Sequence, residues 1–295
     1  MKFPGSIHSK LPKVGTTIFT VMSGLAREHG AVNLSQGFPD FHCDPRLVDL
    51  VSKYMSYGQN QYAPMAGVLR LREKIAEKTL ALYGTAYHPE SEITITAGAT
   101  QAIYTAIASV INEDDEVIIF TPAYDCYEPA IDLAGGKTIH LPLQSPDFSI
   151  DWQQVRDSIN PKTRAIILNS PHNPSGATLS AADIQALQAI VAEFDIYLIS
   201  DEVYEHIIFD GEPHLSLLRY PDLAARAFVI SSFGKTYHVT GWKIAYCVAP
   251  KAMSAEFRKV HQYVSFCTVS PMQYALAEFL ESSSHHLELS DFYQA

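Results

Sequence analysis

A chain of 295 residues is long enough for two average domains or one large one, and 47% hydrophobic residues place it among globular proteins. Charged residues make up only 18%, below the usual ~25%, which leaves less charge to cover a surface and points to some surface buried in an oligomer. The balance of 21 basic against 32 acidic residues gives −11 with no basic run, which excludes the electrostatic footprint of a nucleic-acid binder.

In chain order, Met1–Ser6 is broken by Pro4 and Gly5 before any apolar stretch builds, so no signal peptide is visible. No later run is apolar enough to span a bilayer. The first sixty residues are punctuated by Gly5, Pro12, Gly15, Gly37, Pro39, Pro45 and Gly58, so they are expected to wrap or dock rather than join a central sheet. From Glu92 onward, strand-length apolar runs at Ile93–Ala97, Val117–Phe120, Thr138–Leu141, Ala165–Leu168, Ile196–Ser200, Phe228–Ser231 and Ile244–Val248 alternate with helical patterns. That alternation predicts an α/β fold with a mainly parallel sheet between helices. A glycine turn precedes a helix at Thr100–Ile111, Ser180 to Asp183 reads as a capping box for a helix to Phe194, and Pro271 suits the first turn of a helix through Leu280. Cys43, Cys126, Cys247 and Cys267 include no Cys-x-x-Cys pair, which predicts free thiols in a reducing compartment, with the cytoplasm as default. The 12 histidines hold no His-Glu-x-x-His pattern, and His285-His286 is expected to be a solvated pair, so no metal is assigned.

Five segments carry candidate chemistry, and each lies where a strand gives way to a loop or helix, the place where open α/β sheets put ligands. Thr94 to Gln101 ends a strand in Gly98, Ala99 and Thr100; free N–H groups at the helix start there suit a phosphate, although an ordinary strand-helix connection looks the same. It carries neither the Gly-x-Gly-x-x-Gly nor the Gly-Lys-Ser/Thr signature, which ranks a dinucleotide-binding enzyme last. Tyr124 in Phe120–Tyr124 is placed either to stack on a flat ligand or to fill the core. Within Asn169–Gly176 two prolines restrain the loop, so Asn173 reads as a rigid donor to a ligand oxygen. In Ile199–Tyr204 a strand ends in Asp201, which can pair with a pyridine nitrogen or simply cap a helix, and Tyr204 stands three residues on, while alternation turns Glu202 elsewhere. Ser231–Lys243 presents Lys235 among Ser231, Ser232, Gly234 and Thr236 with Lys243 eight residues later, which suits a carbonyl-reactive amine beside an anion site.

In this order the Asn-Pro-x-Gly-like, Ser-Asp-Glu-x-Tyr and Ser-x-x-Lys elements resemble the class I aminotransferases of fold type I, which use pyridoxal 5′-phosphate. The segments Asn33–Asp40, Asn60–Gly67 and Gly241-Trp242-Lys243 look most like the methionine, glutamine and kynurenine aminotransferase branch, although many class I members have arginine where this chain has Lys243. The resemblance implies a seven-stranded fold type I sheet and a homodimer with shared sites. It makes Lys235 the lysine that carries the cofactor and later moves the proton, Asp201 the partner of the pyridinium, and Asn173 and Tyr204 ligands of the ring oxygen. Tyr124 then stacks on the ring, and Gly98, Ala99, Thr100, Ser232 and Lys243 hold the phosphate, with Tyr62 reaching it from the neighbouring subunit. Gly37 and Asn173 line the place of the substrate carboxylate.

The implied organisation is an N-terminal segment over 1–45, a large cofactor-binding domain over 46–283 and the start of an incomplete small domain over 284–295. Family members continue further, through a segment that supplies an arginine for the substrate α-carboxylate, and no arginine or lysine lies between Pro271 and Ala295. The expected activity is transfer of the amino group of methionine, or of an aromatic, glutamine- or kynurenine-like amino acid, to a 2-oxo acid. A catalytically incomplete cofactor-binding chain and a β-lyase on the same scaffold are the alternatives.

Overall fold

A computed structural model describes residues 4–37, 39 and 41–295. Phe38 and Asp40, two of the residues in the segment Asn33–Asp40 singled out above, lie outside the described residues. The elements in order are α1 (Ile18–Glu28), α2 (Pro45–Ser56), α3 (Leu69–Tyr83), β1 (Ile93–Thr96), α4 (Ala99–Val110), β2 (Glu116–Thr121), α5 (Tyr127–Leu133) and β3 (Lys137–Pro142). They continue with α6 (Trp152–Ser158), β4 (Thr163–Asn169), α7 (Ala181–Glu193), β5 (Tyr197–Asp201), α8 (Pro221–Ala224), β6 (Ala227–Ser232), α9 (Phe233–Thr236) and β7 (Ala245–Val248). Three helices close the chain: α10 (Lys251–Val264), α11 (Ser270–Ser282) and α12 (His285–Gln294).

Seven strands form one sheet in the order β1-β7-β6-β5-β4-β2-β3. The ladders from β6 through β3 are parallel, and only β7 runs against its neighbours β1 and β6. Successive residues point to opposite faces, so Ile118, Ile166, Leu168, Leu198 and Val229 enter one core with α3, α7 and α11. Val117, Ile119, Ala165, Ile167, Ile199, Phe228 and Ile230 enter the other, beneath α4 and α10. Burial on both faces is why these strands read as unbroken apolar runs. The capping box at Ser180 forms, with its hydroxyl accepting from Asp183 N–H and the Asp183 carboxylate accepting from Ser180 N–H. Pro271 takes a first-turn position in α11.

The described residues among the first sixty add no strand to the sheet, as expected, and carry two helices: Pro45 opens α2 at a position where a missing N–H costs nothing, and Gly58 (φ 84) lies just past its end. One sequence expectation changes. The His285-His286 pair is half-buried rather than solvated. Neighbours on a helix diverge by about 100°, and α12 uses that divergence: His285 Nε2 lies 3.0 Å from His238 Nε2, while the His286 ring faces His206 at 5.1 Å. Burial pushes His238 and His286 down to about 4 and His206 to about 3, so all three are neutral at ordinary pH.

Beneath β5 and β7 a buried ion pair ties distant elements together. Lys78 Nζ donates to Glu205 Oε1 at 2.7 Å and to Tyr246 Oη at 2.6 Å, and Tyr83 donates to the same carboxylate. Burial pushes the Glu205 carboxyl up, but Lys78 beside it holds it well below the usual range. All four described cysteines are free thiols. No described helix is long and apolar enough to cross a membrane, and no group of three or more metal-ligating side chains occurs among the described residues.

Candidate active site

The parallel order places the carboxyl ends of β1, β2, β4, β5 and β6 on one edge of the sheet, and the start of the reversed strand β7 on the same edge. A cleft of about 850 Å³ opens there, within the range of small-molecule sites. Eleven of the sequence-chosen residues line it: Gly37, Gly98, Ala99, Thr100, Tyr124, Asn173, Asp201, Tyr204, Ser232, Lys235 and Lys243. Tyr62 does not; its side chain is 83% exposed and packs edge-on against Phe266.

One end of the cleft is cationic. Gly98 caps α4 with φ 85, a conformation that side chains resist, and the Ala99 and Thr100 N–H groups have no acceptor among the described residues. Lys243 is held at φ 55 so that its side chain crosses Gly98: a Cβ on Gly98 would sit 2.9 Å from Lys243 Cε and 3.2 Å from Nζ. Ser232 caps α9 by accepting from Gly234 N–H at 3.0 Å. The other hydroxyls near Lys235 are spent elsewhere, Thr236 on Ser232 O and Ser231 on Glu202 O.

Asp201 ends β5 fully buried, and burial pushes its carboxyl up to about 6. Its Oδ2 accepts from Tyr127 at 2.6 Å and Oδ1 accepts from Val203 N–H at 3.3 Å. Glu202 faces away, as alternation requires: it accepts from Ser200 and from Leu217 N–H and pairs with His214. Lys235 stands between these two ends. Its Nζ donates to Gly37 O at 2.5 Å and lies 5.3 Å from the centre of the Tyr204 ring. Burial, then the nearby charge of Lys243, push its amine below the ordinary value.

Residues that the motifs did not single out complete the frame. Asn169 ends β4, donates to Asp201 O at 2.9 Å and accepts from Asn173 N–H at 2.7 Å, so it locks the Asn173 loop to the strand that carries Asp201. Its place four residues before Asn173, at a strand end, was visible; its partners were not. Thr17, which caps α1, and the α1 residues Thr20, Ser23 and Arg27 also face the cleft, and no periodicity in the sequence assigns them there.

An amine of lowered proton affinity, a buried carboxylate and a cationic helix start meet around one cleft, the kind of arrangement found in enzyme sites. The profile of the family described as aminotransferase class I and II matches residues 30–294, and the chain belongs to that family. It is a transaminase, acting on amino and 2-oxo acids, and the family's cofactor is pyridoxal phosphate. It is 53% identical to the methionine aminotransferase of Escherichia coli (strain K12) over 97% of this chain and 75% of that relative. It is 32% identical to kynurenine–oxoglutarate transaminase 3 of Homo sapiens over 91% of this chain and 62% of that one. A solved Escherichia coli structure with methionine aminotransferase function superposes with a TM-score of 0.95 at 51% identity, covering 99% of this chain and 76% of that one.

Proposed function

We propose that the chain moves the amino group of methionine, or of an aromatic, glutamine- or kynurenine-like amino acid, to a 2-oxo acid in a ping-pong cycle with pyridoxal 5′-phosphate in this cleft. The observation that carries the reading is the convergence of Lys235, Asp201 and the α4 start with Lys243 on one cavity. The donor set fits the cofactor: unpaired N–H groups and an ammonium crossing a side-chain-free Gly98 suit a phosphate, and a buried carboxylate with a raised pKa suits a cationic ring nitrogen. When bound, pyridoxal phosphate supplies a carbonyl that accepts the amino group and a ring that draws electrons from the substrate carbon.

On this reading Gly98, Ala99, Thr100, Ser232 and Lys243 hold the phosphate. Asp201 keeps the ring nitrogen protonated, Asn173 and Tyr204 bind the ring oxygen, and Tyr124 lies against the ring face. Lys235 accepts the proton from the substrate carbon and returns it, a role favoured by an amine whose proton affinity burial and Lys243 have lowered. Gly37 and Asn173 flank the substrate carboxylate. The exposed Tyr62 suits the cleft of a second copy in a homodimer, and the unit boundaries at 45 and 283 belong to the same reading. The free thiols accord with a cytoplasmic setting.

The test is the visible spectrum of the purified chain loaded with pyridoxal phosphate, recorded before and after methionine, with 2-oxo acid release measured in parallel. A cofactor band that shifts with methionine in the native chain, and neither shifts nor is trapped by borohydride in Lys235→Ala, is expected. Cofactor bound without any response to methionine, aromatic amino acids, glutamine or kynurenine would overturn the assignment. Pyruvate and ammonia released from a cysteine conjugate in preference to transamination would replace it by a lyase.

A further inference from the structure

We propose that Tyr127 is a positioning residue for amino transfer: it grips Asp201 from behind, keeps that carboxylate ionised with an oxygen turned to the cleft, and so keeps the cofactor's ring nitrogen protonated. The inference rests on the reading of Asp201 as the partner of that nitrogen. Asp201 lines the cleft and Tyr127 does not; Tyr127 lines a separate cavity of about 40 Å³, so the phenol reaches the carboxylate from outside the cleft lining.

The Tyr127 O–H donates to Asp201 Oδ2 at 2.6 Å, a short charge-assisted bond. The other donor to this carboxylate among the described residues, Val203 N–H, is longer at 3.3 Å. Glu202 cannot substitute, since its oxygens are already bonded to Ser200, Leu217 and His214. Burial raises the Tyr127 phenol well above its ordinary value, so it remains an O–H donor across the working pH range. The ring packs edge-on against Tyr124 at 5.8 Å, and Tyr127 opens α5, so both packing and backbone fix where the hydroxyl points.

A hydrogen bond donated to a carboxylate favours its charged form. Without the Tyr127 hydroxyl the carboxylate becomes more basic, and the proton shared by ring nitrogen and Asp201 moves onto the oxygen. No other bond is made or broken, and the ring then withdraws electrons less strongly.

The experiment reads ring-nitrogen protonation directly, by ¹⁵N NMR of enzyme loaded with ring-¹⁵N pyridoxal phosphate and titrated with pH, in native protein, Tyr127→Phe and Asp201→Ala. Phenylalanine keeps the packing and removes only the hydroxyl. The expected result is a fall of about tenfold in the ratio of protonated to unprotonated ring, the size of one lost hydrogen bond to a charged group. Replacing Tyr127 with 3-fluorotyrosine, a stronger donor of nearly the same shape, moves the ratio the opposite way and keeps the question open to test if the phenylalanine variant folds poorly. A signal that moves in Asp201→Ala but is the same in native, phenylalanine and fluorotyrosine proteins overturns the role of Tyr127 alone. A signal that Asp201→Ala leaves unmoved overturns the reading of Asp201, and this inference with it.

Discussion

Gly98→Ala separates the strain of the cationic end from its function. Two effects meet at this position. Alanine at φ 85 costs about 1–3 kcal/mol of backbone strain, and the new Cβ would fall 2.9 Å from Lys243 Cε. That contact is with the far end of a flexible side chain, so the lysine swings aside and the steric term adds little to unfolding. It carries the ammonium away from the α4 start, however, and loss of one charge-assisted contact is worth about 1.5–3 kcal/mol, or roughly 10- to 150-fold in cofactor dissociation constant. Gly84→Ala is the control: φ is 74 there, no atom lies within 4 Å, and the residue caps α3 outside the cleft. In thermal unfolding of the cofactor-free protein Gly84→Ala should lose about 1–2 kcal/mol, the cost of a side chain in the left-handed region, and Gly98→Ala, whose ψ of 163 puts it where glycine alone fits readily, up to about 3 kcal/mol. Only Gly98→Ala should weaken binding of pyridoxal phosphate, followed by absorbance titration. Binding within twofold of native in Gly98→Ala, with the expected loss of stability, would refute the argument that Gly98 exists to seat Lys243.

Asn169→Ala removes the link between the Asn173 loop and β5, two hydrogen bonds together worth about 2 kcal/mol, so folding stability should fall by up to that amount and turnover by up to roughly 30-fold as Asn173 loses its place; steady-state kinetics beside calorimetry check it. Asp201 has a folded pKa raised from 3.8 to about 6, so its contribution to stability is full below about 4 and is lost as pH rises through about 6. Cofactor-free Asp201→Asn should therefore gain on native protein by a few kcal/mol between pH 4 and pH 8, read from denaturant unfolding at both pH values, while its affinity for the cofactor falls.

Much of the sheet was legible because strands covered on both faces must be apolar at every position, as Ala165–Leu168 is. What hid α2 was punctuation: Pro45 and Gly58 looked like interruptions and are instead the start of a helix and the residue just past its end. The candidate site was legible where a candidate residue sits at or just past the end of a strand, since chain order alone then puts Asp201, Asn173, Ser232 and Lys235 on one edge. Tyr127 and Asn169 were not, because their meaning lies in partners 74 and 32 residues away, and nothing local marks a tyrosine that bonds a carboxylate. Likewise His285 and His286 acquire buried partners only because α12 folds back on α9.

The cofactor-free chain holds two unfavourable features around one cleft, and they share a remedy. A buried carboxylate is pushed up by burial with no cation to offset it among the described residues, and the charge of Lys243 acts on the half-buried Lys235. Natural sequences give up stability in this way at sites that must complement a ligand. A bound group with an anion at the α4 start and a protonated ring nitrogen at Asp201 would relieve both, whereas inorganic phosphate would relieve only the repulsion near Lys243. Binding to the folded state alone stabilises by about 2.7 kcal/mol at a hundredfold excess over the dissociation constant. The site's own charges therefore decide which ligand collects that stabilisation in full, so selection of the cofactor and folding of the sheet edge are one thermodynamic problem.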